Sequence, residues 1–216
     1  VKIGGAVAAD AAGAVHELAA EHEVCVVHGA GPQISEEMAR YGLQVEFVEG
    51  RRVTSAAALV LVRRSLARVN VGLCEAIGER AVGLLGDEIG LRATAVPELG
   101  LVGDPVPTRP LYVELALARS LIPVVAPIAE GPLNVNADEA ASALAVGIGA
   151  DRILFVTDVP GVLLGGTVAG TLAASDADRL LDAGELEGGI VPKVRAAVAA
   201  ARLGVRAEIG ATAVVA

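Results

Sequence analysis

Four short apolar blocks rich in valine, isoleucine and leucine, at residues 24–27, 81–84, 122–126 and 153–156, punctuate this chain, each flanked by glycine, proline or charge. Runs that are apolar throughout, rather than at every second position, are the pattern of strands buried on both faces, as in a parallel sheet. Between them, residues 11–20, 34–41, 55–80, 112–120, 137–149, 175–183 and 193–203 carry a helical period. Parallel strands need crossovers of helix length, so this alternation predicts an α/β fold.

Boundary residues support the same division. Thr54 or Ser55 can cap the long third helix, and Gly149 and Gly204 stand where helix ends call for a left-handed residue. Residues 99–111 contain Pro105, Pro107 and Pro110 and read as a rim loop with short antiparallel strands. No internal repeat or low-complexity linker divides the chain. We expect one domain over 1–216 with two lobes, about 1–150 and 151–216, meeting near residues 149–152.

With 216 residues, 54% of them hydrophobic, the chain can bury one large core or two closely packed lobes. A net charge of -9 argues against a general nucleic-acid binder, because phosphate backbones are held by clustered lysine and arginine. No apolar run approaches the roughly 20 residues that span a bilayer, so a membrane partner is not expected. Cys25 and Cys74 read as buried free thiols, which suits a reducing cytoplasm. No signal peptide stands before the first strand, and the opening on Val1 rather than Met leaves room for residues ahead of it.

In an acidic protein each basic residue near a turn carries weight. Lys2 sits inside a short strand that exits through Gly4 and Gly5, where bare backbone N–H groups can approach a phosphate. Alternatively it is an exposed edge-strand lysine before an ordinary turn. A second strand runs into His28, Gly29, Ala30 and Gly31 before a helix, an arrangement that favours anions. His28 reads either as a base or as a strand-exit histidine bonded to neighbouring backbone.

Arg51 and Arg52 stand at the entry of the long helix, where the helix dipole disfavours cations, so one of them is expected to fork onto an anionic ligand. Asn134, Asn136 and Asp138 alternate along an extended segment that leads into a helix, which directs all three to one side. One of them can serve as the helix cap; three exceed that need. Asp158 ends a buried strand at a Pro-Gly turn, and Lys193 follows Gly188, Gly189 and Pro192 at a helix start, where it calls for a nearby anion.

Taken in order, these stretches resemble the motifs of the amino acid kinase family, over nearly the whole chain. The resemblance implies a three-layer αβα sandwich with a mainly parallel central sheet. It further implies a kinase that uses ATP to phosphorylate the side-chain carboxylate of N-acetylglutamate in arginine biosynthesis, paired as a homodimer. By the same resemblance Lys2 and Lys193 are the transition-state lysines and Asp138 their organiser. Ala30 and Gly31 supply backbone to acceptor and γ-phosphate, and Arg52 and Asn134 bind the acceptor. Gly4 and Gly5, Asp158, Val159, Pro160, Gly161, Val162 and Leu163, and Glu185, Leu186 and Glu187 fall on the nucleotide side.

Dedicated acidic metal ligands are few in these motifs, so no protein metal site is expected and Mg²⁺ is held mainly by ATP phosphates and water. Other readings keep the same parts: a sister kinase acting on carrier-bound aminoadipate or glutamate, or a non-catalytic subunit binding nucleotide or arginine. Two departures stand out. Ala30 replaces the usual third glycine, and after residues 205–209 the family's further loop and helix do not follow, so either residues are missing or this member is trimmed. The absence of the amino-terminal helix that links arginine-inhibited hexamers leads us to expect an arginine-insensitive dimer.

Overall fold

The computed structural model describes residues 1–4, 11–157 and 159–216; Gly5 and Asp158 lie outside the described residues. Among the described residues one sheet contains β1 (Lys2–Ile3), β2 (Val26–His28), β3 (Ala81–Leu85), β4 (Ile122–Ala126), β5 (Arg152–Val156), β6 (Thr171–Ala173), β7 (Arg206–Ile209) and β8 (Thr212–Val215). Their order across the sheet is β6-β8-β7-β5-β1-β2-β4-β3. All neighbours are parallel except β7 and β8. The helices are α1 (Ala11–Glu21), α2 (Gly31–Arg40), α3 (Ala56–Ile77), α4 (Leu111–Leu117), α5 (Ala137–Ile148), α6 (Ala174–Asp182) and α7 (Ile190–Arg202).

Period-two alternation builds the three layers. Ile3, Val26, Ile122 and Val124 pack with Val15, Ala19, Leu73 and Ile77 of α1 and α3. Their neighbours Val27 and Val125, with Ile153 and Phe155, face Leu144 of α5 and Val194 and Val198 of α7. Successive side chains on a strand point to opposite faces, so Ile3 in one layer puts Lys2 in the other. The continuous sheet crosses the expected lobe junction, since β1 pairs with β5.

β1 lies between β5 and β2, not at an edge. The edge-strand reading of Lys2 therefore falls away: its side chain is 5% exposed. Two helices begin three residues before the expected boundaries, α2 at Gly31 and α7 at Ile190, because Pro32 and Pro192 are tolerated in a first turn. α3 ends earlier, at Ile77, with Gly78 at φ 89. Ser55 caps it by accepting from the Ala58 N–H, leaving Thr54 for another role. In the rim loop, Gly103–Pro105 pairs antiparallel with Ala93–Ala95.

After Ile209 the chain turns at Gly210 (φ 54) straight into β8. The Thr212 hydroxyl accepts from Val162 N–H at 2.9 Å and donates to Ala169 C=O at 2.7 Å, so the hairpin carries the turn beyond β5. Gly161, at φ 155, fits under that contact: a Cβ there would lie 2.7 Å from Thr212 Oγ1 and 2.8 Å from Val168 Cγ1.

Candidate active site

At the carboxyl ends of β1, β2 and β5 the first turns of α2, α5 and α7 converge on a cavity of about 480 Å³. Ala30 and Gly189, the caps of α2 and α7, offer no side-chain hydrogen bond to the first-turn N–H groups. Converging helix N-termini favour anions. Ala30 has a negative φ of -142, outside the left-handed region that calls for glycine, where a glycine was expected.

Asp138, in the first turn of α5, gathers both lysines. Lys2 Nζ lies 2.7 Å from Asp138 Oδ1, and Lys193 Nζ lies 3.8 Å from Oδ2. Lys193 also donates to Gly189 C=O at 3.2 Å. Burial pulls the Lys2 ammonium below its usual range, Asp138 opposes that shift, and Lys193 adds to it. Two cations on opposite oxygens of one carboxylate leave positive charge facing the cavity.

The two arginines part company. Arg51 pairs with Asp104 at 2.5 Å and with Glu139 at 3.1 Å. Arg52 is 5% exposed, and among the described residues no carboxylate forms an ion pair with it. Its Nη2 donates to Gly31 C=O at 3.1 Å and Ser35 Oγ at 2.8 Å, while the guanidinium stacks 4.6 Å from the Phe47 ring centroid. A buried guanidinium without an anion is a ready receptor for a carboxylate; burial lowers its pKa.

Asn134 donates to Thr54 Oγ1 at 2.9 Å, and Thr54 in turn donates to Arg52 C=O at 2.7 Å. Asn136 is the cap of α5, accepting from the N–H groups of Asp138 and Glu139. Thus the three alternating residues divide their work. Asn134, Asn136 and Asp138 all border the cavity, with Lys2, Gly4, Ala30, Gly31, Arg52 and Lys193. Sequence reasoning passed over Thr54 and Ser35 as buttresses and Phe47 as a wall. Thr54 stands two residues from Arg52, a spacing that marks one face of an extended segment.

His28 sits elsewhere. Its ring meets Asn70 of α3 at 3.1 Å and Gly29 C=O at 3.4 Å, fully buried on the face opposite Lys2. Burial pushes its pKa down to about 4. It is a neutral packing residue, which decides between the two readings of this histidine.

On the nucleotide side, Val159, Pro160 and Leu163 are exposed, as are Glu185 and Glu187. Val162 and Leu186 instead fill the core. The Val162 N–H is taken by Thr212 and its C=O by Ala169, so neither its side chain nor its backbone faces a ligand. Gly161 is buried under Thr212. These residues do not border the cavity that holds the lysines.

A profile of the amino acid kinase family matches residues 1–210. An acetylglutamate kinase of Jannaschia sp. (strain CCS1) is 41% identical over 195 residues, covering 85% of this chain and 68% of that protein. An acetylglutamate kinase of Roseiflexus castenholzii (strain DSM 13941 / HLO8) is 41% identical over 194 residues, covering 84% and 75%. Among solved structures, smu.665 from Streptococcus mutans UA159 superposes with a TM-score of 0.88 at 28% identity, covering 99% of this chain and 96% of that one.

Proposed function

The chain belongs to the amino acid kinase family, and from that premise we propose that it is an acetylglutamate kinase, transferring the γ-phosphoryl group of ATP to the side-chain carboxylate of N-acetyl-L-glutamate. The observation that carries this reading is the placement of Lys2 and Lys193 on the two oxygens of Asp138, beside a buried Arg52 with no carboxylate partner among the described residues. Relatives of that name at about two-fifths identity supply the acceptor.

The acceptor carboxylate is ionised at neutral pH, since a glutamate side chain titrates near ~4.3, and needs no general base. Its oxygen forms the new bond to the γ-phosphorus while the bond to the β,γ-bridging oxygen breaks and ADP leaves. Both partners are anions, so the step depends on cations and N–H dipoles set in place beforehand. Lys2 and Lys193 face the phosphoryl group in transit, and Asp138 holds the two ammonium groups without touching substrate. Arg52 and Asn134 bind the acceptor, and the backbone at Ala30 and Gly31 lies where acceptor and γ-phosphate meet.

Gly4 and the exposed residues Val159, Pro160, Leu163, Glu185 and Glu187 form the nucleotide-side surface of this reading, and Gly5 and Asp158 are assigned to the nucleotide by the resemblance. Asp138 is already engaged by two lysines, so Mg²⁺ takes its oxygens from the ATP phosphates and water. The two-lobe division, a cytoplasmic setting and a homodimer complete the reading; among the described residues no helix is long and apolar enough to cross a membrane.

The test is incubation with MgATP and, separately, N-acetylglutamate, glutamate and aminoadipate, with hydroxylamine to trap acyl phosphate. Hydroxamate formed with N-acetylglutamate at well above the other two is expected. A preference for either of the others would reassign the acceptor, and nucleotide binding without any hydroxamate would make the chain a non-catalytic binder.

A further inference from the structure

Arg51 neighbours the acceptor-side Arg52 but points to different partners, because adjacent residues on a strand face opposite ways. It lies in a hairpin in which Phe47–Val48 pairs antiparallel with Arg51–Arg52. All three guanidinium nitrogens are engaged by carboxylates: Nη1 meets Asp104 Oδ1 at 2.5 Å, and Nε and Nη2 meet Glu139 Oε1 at 3.2 and 3.1 Å. Each contact ties the guanidinium of Arg51, which borders the cavity, to a carboxylate. Glu139 is the residue after Asp138 in the first turn of α5.

The hairpin is tied on further sides. Asn136, the α5 cap, donates to Gly50 C=O at 3.3 Å. At the hairpin turn, Glu49 lies 3.8 Å from Arg195 of α7, and a Cβ at Gly50 would lie 3.7 Å from Pro192 Cβ, ordinary contact distance. One short hairpin therefore touches both the helix that carries Asp138 and the helix that carries Lys193. Burial raises the Glu139 pKa, and Asp104 and Asp138 add to that while Arg51 opposes it, so Arg51 is what keeps this group of carboxylates tolerable.

We propose that Arg51 is a positioning residue: by gripping Glu139 and Asp104 it fixes the first turn of α5 against the acceptor-side hairpin, and so holds Asp138 in register with Lys2 and Lys193. This rests on the phosphoryl-transfer reading given above. Arg51 touches neither substrate nor the reacting atoms. Its removal leaves the half-buried Glu139 without its counter-ion beside Asp138, which displaces the turn that orients the lysines.

The experiment is a double-variant cycle with Arg51→Met and Glu139→Gln, read by hydroxamate formation, with melting temperatures measured for each variant. Arg51→Met is expected to lower kcat about tenfold or more while the ATP KM stays within about twofold, the signature of misplaced groups rather than lost binding. In the Glu139→Gln background the same substitution is expected to cost less than about threefold, because the stranded charge is gone. Equal losses in both backgrounds, or a kcat within about twofold of the parent in Arg51→Met, overturn the proposal. If Arg51→Met does not fold, the same cycle with Arg51→Gln, which removes the charge but keeps a polar side chain, reads the same coupling. A parent protein that forms no hydroxamate removes the phosphoryl-transfer reading and this proposal with it, whereas an active parent without coupling removes Arg51 alone.

Discussion

Lys2 Nζ rests 2.7 Å from Asp138 Oδ1, and the two side chains are only 5% and 8% exposed. A buried pair of this kind contributes little net stability over an apolar pair, yet breaking it from one side strands a charge. Asp138→Ala is therefore expected to destabilise the fold by about 3 kcal/mol. Adding Lys2→Met should restore much of that stability while leaving phosphoryl transfer abolished. Chemical denaturation and hydroxamate trapping on the same three proteins check both halves; stability that stays low in the double variant would show that Asp138 matters to the fold apart from this pair.

Lys193 contributes differently, being on the cavity side with its side chain 16% exposed. Lys193→Ala is expected to reduce kcat by about 10²-fold or more, as loss of a preorganised cation does, with the melting temperature nearly unchanged. Steady-state kinetics and a thermal melt decide it, and near-parental turnover would remove Lys193 from the transition state.

Arg52 has hydroxyl, carbonyl, thioether and ring partners but, among the described residues, no carboxylate. Arg52→Ala should raise the acceptor KM by tenfold or more, roughly the weight of a charge-assisted contact of ~1.5–3 kcal/mol. The ATP KM should move little. An increase confined to ATP would place Arg52 on the wrong substrate.

His28 makes stability depend on pH in a defined direction. The unfolded chain takes up a proton near 6.5 and the folded chain only near 4, so the unfolded state binds more protons between those values. Stability from this group is complete above pH 6.5 and is lost as pH falls through about 4, to the extent of roughly 3 kcal/mol. Denaturation series from pH 7 to 4 should be flatter for His28→Gln than for the parent. Parallel curves would mean that other groups carry the acid sensitivity.

Gly161 tests the hairpin at the carboxyl end. Because a Cβ would press on Thr212 Oγ1 and Val168, at φ 155, Gly161→Ala is expected to cost about 1–3 kcal/mol and to weaken ATP binding more than acceptor binding. Melting temperature and the two KM values check this; an unchanged ATP KM would detach the turn from the nucleotide.

The fold was largely legible along the chain. Aliphatic blocks and helical periods are set by residues a few positions apart, so the strands at 122–126 and 153–156, the α5 helix and its left-handed Gly149 are local facts, as were the glycine turns and the lysines that follow or precede them. The helices α2 and α7 begin three residues before the periodic segments at 34 and 193, because their first turns hold Pro32 and Pro192, where the missing N–H costs nothing. Which lysine is buried, which arginine has no carboxylate partner among the described residues and what His28 does were not local facts. Lys2 is interior only because β1 slots between β5 and β2, a pairing of segments about 150 residues apart. Arg51 and Arg52 are chemically identical neighbours, and only the hairpin register sends one to Glu139 and Asp104 and leaves the other to the cavity. Period decides the element and its faces; the sheet order decides what each face meets, because charge compensation depends on distance in space and not along the chain.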